Sequence, residues 1–191
     1  MKKGQVKIIG GQWRGRKLSF PTIPGLRPTP NRIRETLFNW LNPILIGADC
    51  LDLFAGSGAL GFEALSRGAK SATFIEQSPI LTHYLKAQIE QLAAVPKAKV
   101  YHATYPFRAS RLFEATPPPA FNLIFLDPPF FKNLIELACT WLLQENLLLP
   151  ETIIYMETES PVSALTLPKN WKISHSKKSG RVNYGLAKIT H

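Results

Sequence analysis

Short apolar runs alternate with segments of helical spacing along most of the 191-residue chain. Runs typical of strands buried in a parallel sheet occur at 50–54, 71–76, 99–102, 121–126 and 152–158. Helices are expected between them, near 59–67, 79–93 and 133–145. Two further runs, 171–175 and 183–189, predict a hairpin around a KKSGR turn. The pattern predicts an α/β fold with a doubly wound, Rossmann-like, mostly parallel sheet and an antiparallel edge hairpin.

The first forty residues follow a different pattern. Runs at 6–9 and 17–20 flank the sequence GGQWRGR and predict a small β-hairpin. Thr29-Pro30 then opens a helix. Its apolar stripe is Ile33, Leu37, Trp40 and Leu41. We therefore expect residues 1–42 to form an N-terminal extension of hairpin and helix, and residues 43–191 to form the main domain.

The positive charge of the chain is concentrated in this extension. Residues 1–36 hold nine Lys or Arg and a single acid, Glu35, and so carry eight of the ten net positive charges. A second basic group follows residue 160, where no acidic residue occurs. Such clustering predicts a polyanionic partner, most simply nucleic acid, although a solvated face that keeps the protein soluble is the alternative. The candidate nucleic-acid contacts are Arg14, Arg16, Lys17, Arg27, Arg32 and Arg34.

Other classes of protein find little support in the composition. No apolar run approaches the roughly 20 residues that would cross a bilayer, and the first residues lack the apolar stretch of a signal peptide. We expect a cytoplasmic protein that does not bind a membrane. Cys50 and Cys139 lie far apart, and the four histidines show no metal-ligand spacing. No metal is expected.

The sequence LDLFAGSGALG at 51–61 predicts a cofactor loop. Gly56, Gly58 and Gly61 fit the pattern G-x-G-x-x-G between a strand and a helix, and Glu76 follows Gly56 by twenty residues. The glycines let the backbone approach a ligand closely, and an acid at the end of the next strand can accept hydrogen bonds from both ribose hydroxyls. Asp52 lies near the carboxyl end of the first strand. A carboxylate there suits the ammonium group of S-adenosyl-L-methionine, which NAD lacks.

A second motif, DPPFF at 127–131, follows the fourth strand. Ligands of open α/β sheets bind beyond the carboxyl ends of the strands, so Asp127 is expected to face the site. Pro128 and Pro129 fix the backbone, and Phe130 offers a face on which a base can stack. These groups are what methylation of an exocyclic amine requires: acceptors for its N–H bonds and a platform for the ring.

Four segments carry a resemblance to a known family: IIGGQWRGRKL, LRPTPNRIRETLFNWL, LDLFAGSGALGFEALSRGA and FLDPPF. They resemble the bacterial 16S ribosomal RNA guanine-N2 methyltransferases of the RsmD type, and the likeness spans residues 6 to 189. The resemblance implies a class I methyltransferase fold and transfer of a methyl group from S-adenosyl-L-methionine to a guanine N2. The implied partner is ribosomal RNA within an assembling small subunit. On that pattern Asp52, Phe54, Gly56, Gly58 and Glu76 line the cofactor, and Asp127, Pro128 and Phe130 hold the guanine.

The chain departs from the family after the third strand of the main domain. Thr104 stands where an Asp or Asn is usual, and we assign it to adenine recognition. Three alternatives share some of these features: an amino-methyltransferase acting on adenine or cytosine in DNA, an NAD-dependent oxidoreductase, and a catalytically silent RNA-binding module. The DNA enzyme would share the glycine loop and DPPF. The oxidoreductase would need a substrate domain, which the chain lacks, and the silent module conflicts with an intact DPPF.

Overall fold

The computed structural model describes residues 3–106, 108–113, 117–130 and 132–189, with only the backbone of Lys3. Lys2 of the basic extension and Phe131 of the DPPFF motif lie outside the described residues. The chain forms two compact units, Met1–Tyr105 and Pro106–His191. No helix in the described ranges is long and apolar enough to cross a membrane.

The first unit contains a two-stranded hairpin and three parallel strands. Its elements are β1 (Lys3–Lys7), β2 (Lys17–Pro21), α1 (Asn31–Leu45), β3 (Asp49–Asp52), α2 (Ala59–Ser66), β4 (Ser71–Glu76), α3 (Pro79–Gln91) and β5 (Ala98–His102). β1 and β2 pair antiparallel. The parallel strands lie in the order β5-β4-β3.

Local sequence explains the helices of this unit. α1 begins after Pro30 and buries Ile33, Leu37 and Leu41. α2 is buried on all sides, and Gly61 lets it lie directly on β4, because a side chain there would overlap the ring of Phe74. α3 is capped by the Ser78 hydroxyl, which accepts the Leu81 N–H at 3.4 Å.

The second unit contains four strands in the order β6-β7-β9-β8. Its elements are α4 (Ala109–Leu112), β6 (Phe121–Leu126), α5 (Leu134–Gln144), β7 (Leu148–Thr158), a 3-10 turn (Val162–Ala164), β8 (Trp171–Ser179) and β9 (Val182–Ile189). β6 and β7 are parallel, whereas β9 runs antiparallel to both β7 and β8.

The predicted α/β class and the antiparallel hairpin are confirmed, and each predicted strand and helix is present with its ends shifted by a few residues. The largest shifts are at β7, which begins at Leu148 rather than at Thr152, and at β8, which ends at Ser179 rather than at His175; β1 ends at Lys7 rather than at Ile9. α4 is an element that the pattern did not predict. The predicted domain division between residues 42 and 43 falls inside α1 and stays a prediction.

A buried carboxylate explains the early end of β1. Glu63 of α2 accepts four hydrogen bonds: Oε2 from the Ile9 N–H at 2.9 Å and Arg34 at 3.1 Å, Oε1 from the Gly10 N–H at 2.8 Å and Arg67 at 2.8 Å. Its side chain is fully buried. Ile8 still exchanges backbone hydrogen bonds with Gly15 and Arg16 of the hairpin, and from Ile9 onward the backbone binds α2 in place of a partner strand.

Ser66, one turn further along α2, holds the next residues of the chain. Its hydroxyl donates to the Gly10 carbonyl at 2.6 Å and accepts the Trp13 N–H at 2.9 Å, and its own carbonyl accepts the Gln12 N–H at 2.7 Å. Gly11 adopts φ +74°, and a side chain there would overlap the Ser66 carbonyl. The GGQW stretch is thus anchored on α2 through its backbone.

The structure places Arg34 inside this anchor. Its guanidinium is fully buried and donates to Glu63, to the Lys7 carbonyl at 2.7 Å and to Asn31 Oδ1 at 2.6 Å. Burial lowers the pKa of Arg34, and the charge of Glu63 opposes that shift. The prediction that Arg34 contacts RNA is wrong, because its guanidinium is fully buried and its hydrogen bonds go to groups inside the protein.

Replacing Glu63 by Ala tests the anchor. The substitution leaves the Arg34 charge buried without its carboxylate, so we expect the free energy of unfolding in urea to fall by about 3–5 kcal/mol. Lys70→Ala is the matched control, since it breaks an exposed ion pair with Asp49 and should cost about 0–1 kcal/mol. Equal losses in the two variants would contradict the central role of Glu63.

Candidate active site

The first unit gathers the predicted cofactor residues around the carboxyl ends of β3 and β4. Asp52 ends β3 and Glu76 ends β4. The loop after β3 is tied to the end of β4 by the Ala55 N–H, which donates to the Ile75 carbonyl at 3.0 Å. Residues predicted from separate motifs therefore lie together in this unit.

The glycine loop takes backbone conformations that exclude side chains. Gly56 has φ +53° and Gly58 has φ +74°, both in the left-handed region. A Cβ on Gly58 would lie 2.6 Å from side-chain atoms of Leu85 and Phe62. The loop is thus bare backbone at the point where α2 begins.

Glu76 connects this loop to the start of α3. Its Oε2 accepts the Gly56 N–H at 2.7 Å, and its Oε1 accepts the Ser78 N–H at 2.7 Å. The side chain is buried. A carboxylate oxygen can accept two hydrogen bonds, so each oxygen of Glu76 keeps acceptor capacity beyond its backbone partner.

Asp52 has a structural bond of its own. It is 2% exposed, and its Oδ2 accepts the Gly61 N–H at 3.1 Å in the first turn of α2. The carboxylate therefore stabilises the helix start, where negative charge is favourable. Its predicted contact with a cofactor ammonium stays a prediction.

Phe54 and Thr104 follow the two strands that flank β4, whose last residue is Glu76. The strand order is β5-β4-β3, with Thr104 after β5 and Phe54 after β3. Phe54 follows β3 and its ring centroid is 6.0 Å from that of Tyr105. Thr104 is exposed and comes two residues after His102, the β5 residue paired with Glu76. Tyr105 was not predicted from sequence, because nothing in the chain order indicates that it meets Phe54.

In the second unit the DPPF motif begins directly after β6. Asp127 and Phe130 are half-buried and Pro128 is buried. β6 pairs with β7 in the register Leu126↔Met156. The next residue along each strand is a carboxylate, Asp127 on one and Glu157 on the other.

Glu157 is a residue that the sequence reading missed. It is 3% exposed, and its Oε1 accepts a 2.8 Å hydrogen bond from the buried hydroxyl of Tyr155. Burial, with the charges of Glu157 and Asp127, raises the pKa of Tyr155 well above its ordinary value, so the phenol remains a donor. The signal was present in the sequence as an acid within the apolar run IIYMET.

A cavity of about 250 Å³ opens between the DPPF motif and the end of β7. Its walls include Pro128, Pro129, Asn133, Glu157, Thr158 and Ser160. Ligand pockets for drug-sized molecules span roughly 300–1,000 Å³. This cavity is therefore smaller than the usual pocket for a drug-sized ligand.

Five of the six predicted RNA contacts carry exposed side chains: Arg14, Arg16, Lys17, Arg27 and Arg32. None of these five belongs to an ion pair within the described ranges. Trp13 is half-buried in the same turn. Across the described part of the chain, no group of three or more His, Cys, Asp or Glu is placed to hold a metal.

Comparison with known proteins identifies a family. The sequence profile of the family described as "Conserved hypothetical protein 95" matches residues 6–188. The chain is 46% identical over 183 residues to the ribosomal RNA small subunit methyltransferase D of Escherichia coli strain K12, covering 96% of this chain and 89% of that protein.

Two solved structures extend the comparison. A putative methyltransferase, yhhF from Escherichia coli, superposes with a TM-score of 0.82 at 43% identity, covering 98% of this chain and 99% of that one. A Thermus thermophilus 16S rRNA N2 G1207 methyltransferase, solved with AdoMet and guanosine, has a TM-score of 0.64 at 19% identity, covering 100% of this chain and 50% of that one. The second likeness concerns the fold alone. The fold is that of the S-adenosylmethionine-dependent methyltransferases, and the chain belongs to the conserved hypothetical protein 95 family, that of the RsmD-type ribosomal RNA methyltransferases.

Proposed function

We propose that this protein transfers a methyl group from S-adenosyl-L-methionine to the exocyclic N2 of a guanine in small-subunit ribosomal RNA. Family membership supports this function, since the Escherichia coli relative is named for methylation of that RNA. The observation that carries the proposal is the acid-proline-proline-aromatic motif at the carboxyl end of β6, where Pro128 and Pro129 line a cavity of about 250 Å³.

The residues of the first unit fit the cofactor. Gly56 and Gly58 take left-handed conformations, so the loop presents bare backbone to a ligand, and Glu76 keeps acceptor capacity for two ribose hydroxyls. The exposed Thr104 and the Phe54–Tyr105 pair border the same strand ends and offer polar and aromatic contacts for an adenine. Bound S-adenosylmethionine supplies an activated methyl group.

The residues of the second unit prepare the amine. An aryl amine is a poor nucleophile because its lone pair is delocalised into the ring. Hydrogen bonds from N2 to Asp127 and to the Pro128 carbonyl favour a pyramidal nitrogen and stabilise its developing positive charge. Asp127 then takes the proton that the nitrogen loses. Phe130 holds the base by stacking.

The exposed cations of the N-terminal extension supply affinity for the phosphate backbone. The anchor on α2 holds the backbone of residues 9–13, so Arg14, Arg16 and Lys17 project from a fixed turn. The proposed phosphate contacts also include the exposed Arg27 and Arg32 but not the buried Arg34. We further propose that the RNA is bound within an assembling small subunit in the cytoplasm. The target is a loop nucleotide, because a paired base would have to be flipped out of its helix at a cost of a few kcal/mol.

Methyl incorporation tests the proposal directly. Unmethylated small-subunit RNA, small subunits assembled from it and duplex DNA are each incubated with the protein and radiolabelled S-adenosylmethionine. We expect N2-methylguanosine in the RNA or the subunits and no label in DNA. Label in adenine or cytosine of DNA would replace the proposal by the DNA alternative.

Asp127→Ala should abolish most turnover with cofactor affinity unchanged, whereas Asp127→Asn should keep more activity because an accepting oxygen remains.

Phe130→Ala should separate base placement from chemistry. Loss of stacking should cost about 1–3 kcal/mol of RNA binding, with cofactor affinity unchanged. Calorimetry with S-adenosylmethionine and binding of labelled RNA distinguish the two effects. Weaker cofactor binding with unchanged RNA binding would assign Phe130 to the cofactor instead.

Glu76→Ala should weaken binding of S-adenosylmethionine by about 1.5–3 kcal/mol, since charge-assisted hydrogen bonds are lost. RNA affinity should change little. Glu76→Gln keeps one acceptor oxygen and should lose less, and Glu90→Ala, an exposed acid on α3, is the control expected to bind normally. Calorimetry that finds wild-type affinity in a folded Glu76→Ala variant would remove Glu76 from the cofactor site.

Arg14, Arg16 and Lys17 are tested together. Replacing all three by Ala should weaken RNA binding and reduce the log–log salt slope by about 0.7 per lost phosphate contact for single-stranded RNA, or about 2 in total. The matched control replaces Lys86, Lys97 and Lys99, three exposed lysines of the same unit. RNA affinity is measured across a salt series, with cofactor binding as a second readout. Equal slopes in wild type and the first triple variant would show that these charges form only a solvated face.

A further inference from the structure

Two neighbouring strands of the second unit deliver carboxylates to the same edge. In the parallel pair of β6 and β7, Leu126 lies opposite Met156, and Asp127 and Glu157 follow as the next residues on each strand. Both are close enough to the Tyr155 phenol for their charges to raise its pKa. Of the two carboxylates, only Asp127 acts on the reacting amine in the proposed reaction.

Glu157 is both buried and part of the cavity wall. Its side chain is 3% exposed, yet it lines the cavity together with Pro128 and Pro129. Tyr155, itself fully buried, donates to Oε1. This hydrogen bond holds the Glu157 carboxylate in a fixed orientation at the cavity wall. A group that recognises a substrate by hydrogen bonds has to be held in this way.

The chemistry of the base decides what a fixed carboxylate recognises. Guanine presents two adjacent donors, the ring N1–H and one N2–H, which a carboxylate accepts together. Adenine and cytosine present an amine beside a ring nitrogen that carries a lone pair, and this lone pair is repelled by a carboxylate. Sites built around such buried hydrogen bonds reject a base that lacks the donor much more strongly than apolar contacts do.

We propose that Glu157 selects guanine by accepting the N1–H and one N2–H of the target base. Asp127 and the Pro128 carbonyl then share the one remaining N2–H, and this is the proton that passes to Asp127 when the methyl group is transferred. The inference rests on the proposed function and adds to it the residue that distinguishes guanine N2 methylation from methylation of adenine or cytosine amines.

The test compares guanine with 2-aminopurine at the target position of the RNA. The substrate is the form, free RNA or assembled small subunit, that is methylated in the incorporation assay. 2-Aminopurine keeps the reacting amine, replaces N1–H by a lone pair and lacks the O6 carbonyl; the Glu157→Gln comparison isolates the N1 contribution, because O6 is absent from 2-aminopurine in both proteins. Wild type should methylate guanine at least about a hundredfold faster in single turnover. In Glu157→Gln the amide can donate to that lone pair, so the guanine rate should fall and the preference for guanine should shrink at least about tenfold.

Controls separate selection from folding. Glu151→Gln makes the same change at an exposed position of β7 and should keep both the wild-type rate and preference. If Glu157→Gln does not fold, Glu157→Asp keeps the charge but withdraws it by one methylene, and it should slow guanine methylation while preserving the preference. Cofactor affinity should be unchanged in every variant.

The outcomes distinguish this inference from the proposed function. If wild type produces no N2-methylguanosine, the proposed function fails. If wild type produces it, the inference is overturned when Glu157→Gln keeps the wild-type preference for guanine, or when Glu157→Asp methylates guanine at the wild-type rate.

Discussion

The buried carboxylate of Glu63 holds the first unit of this protein together. A charge removed from water is costly unless it is paired and hydrogen-bonded, and Glu63 satisfies both requirements with two arginines and two backbone amides. Its partners lie in the turn after β1, in α1 and at the end of α2. One side chain therefore ties α2 to two segments that are distant from it in sequence, the turn after β1 and α1.

This anchor determines which of the basic residues remain available to a partner. Arg34 lies in the interior because Glu63, the Lys7 carbonyl and Asn31 take its hydrogen bonds. Arg14 and Arg16 lie beyond the anchored backbone and stay exposed. A count of Lys and Arg along a sequence thus combines buried and exposed residues. Only the exposed residues contribute to the electrostatic field that an RNA backbone would experience.

Acidic residues at strand ends serve both structure and chemistry in this fold. Asp52 stabilises the start of α2, and Glu76 orders the glycine loop through the Gly56 N–H while keeping acceptor capacity. In the second unit, Tyr155 holds Glu157 at the cavity wall. A site of this kind depends on rigid neighbours, because a carboxylate that could rotate into solvent would neither orient a base nor reject a wrong one.

The sequence alone determined the order of strands and helices, the glycine loop and the placement of Asp127 after a buried strand. These features are local: periodicity, a proline or serine at a helix start, and glycines where the backbone turns. Tertiary structure decided the rest. That Glu63 meets Ile9 and Arg34, and that Glu157 lies beside Asp127, depends on pairings between segments about thirty or more residues apart. A buried acid and a solvated acid look alike in a sequence, because burial is set by what packs around them.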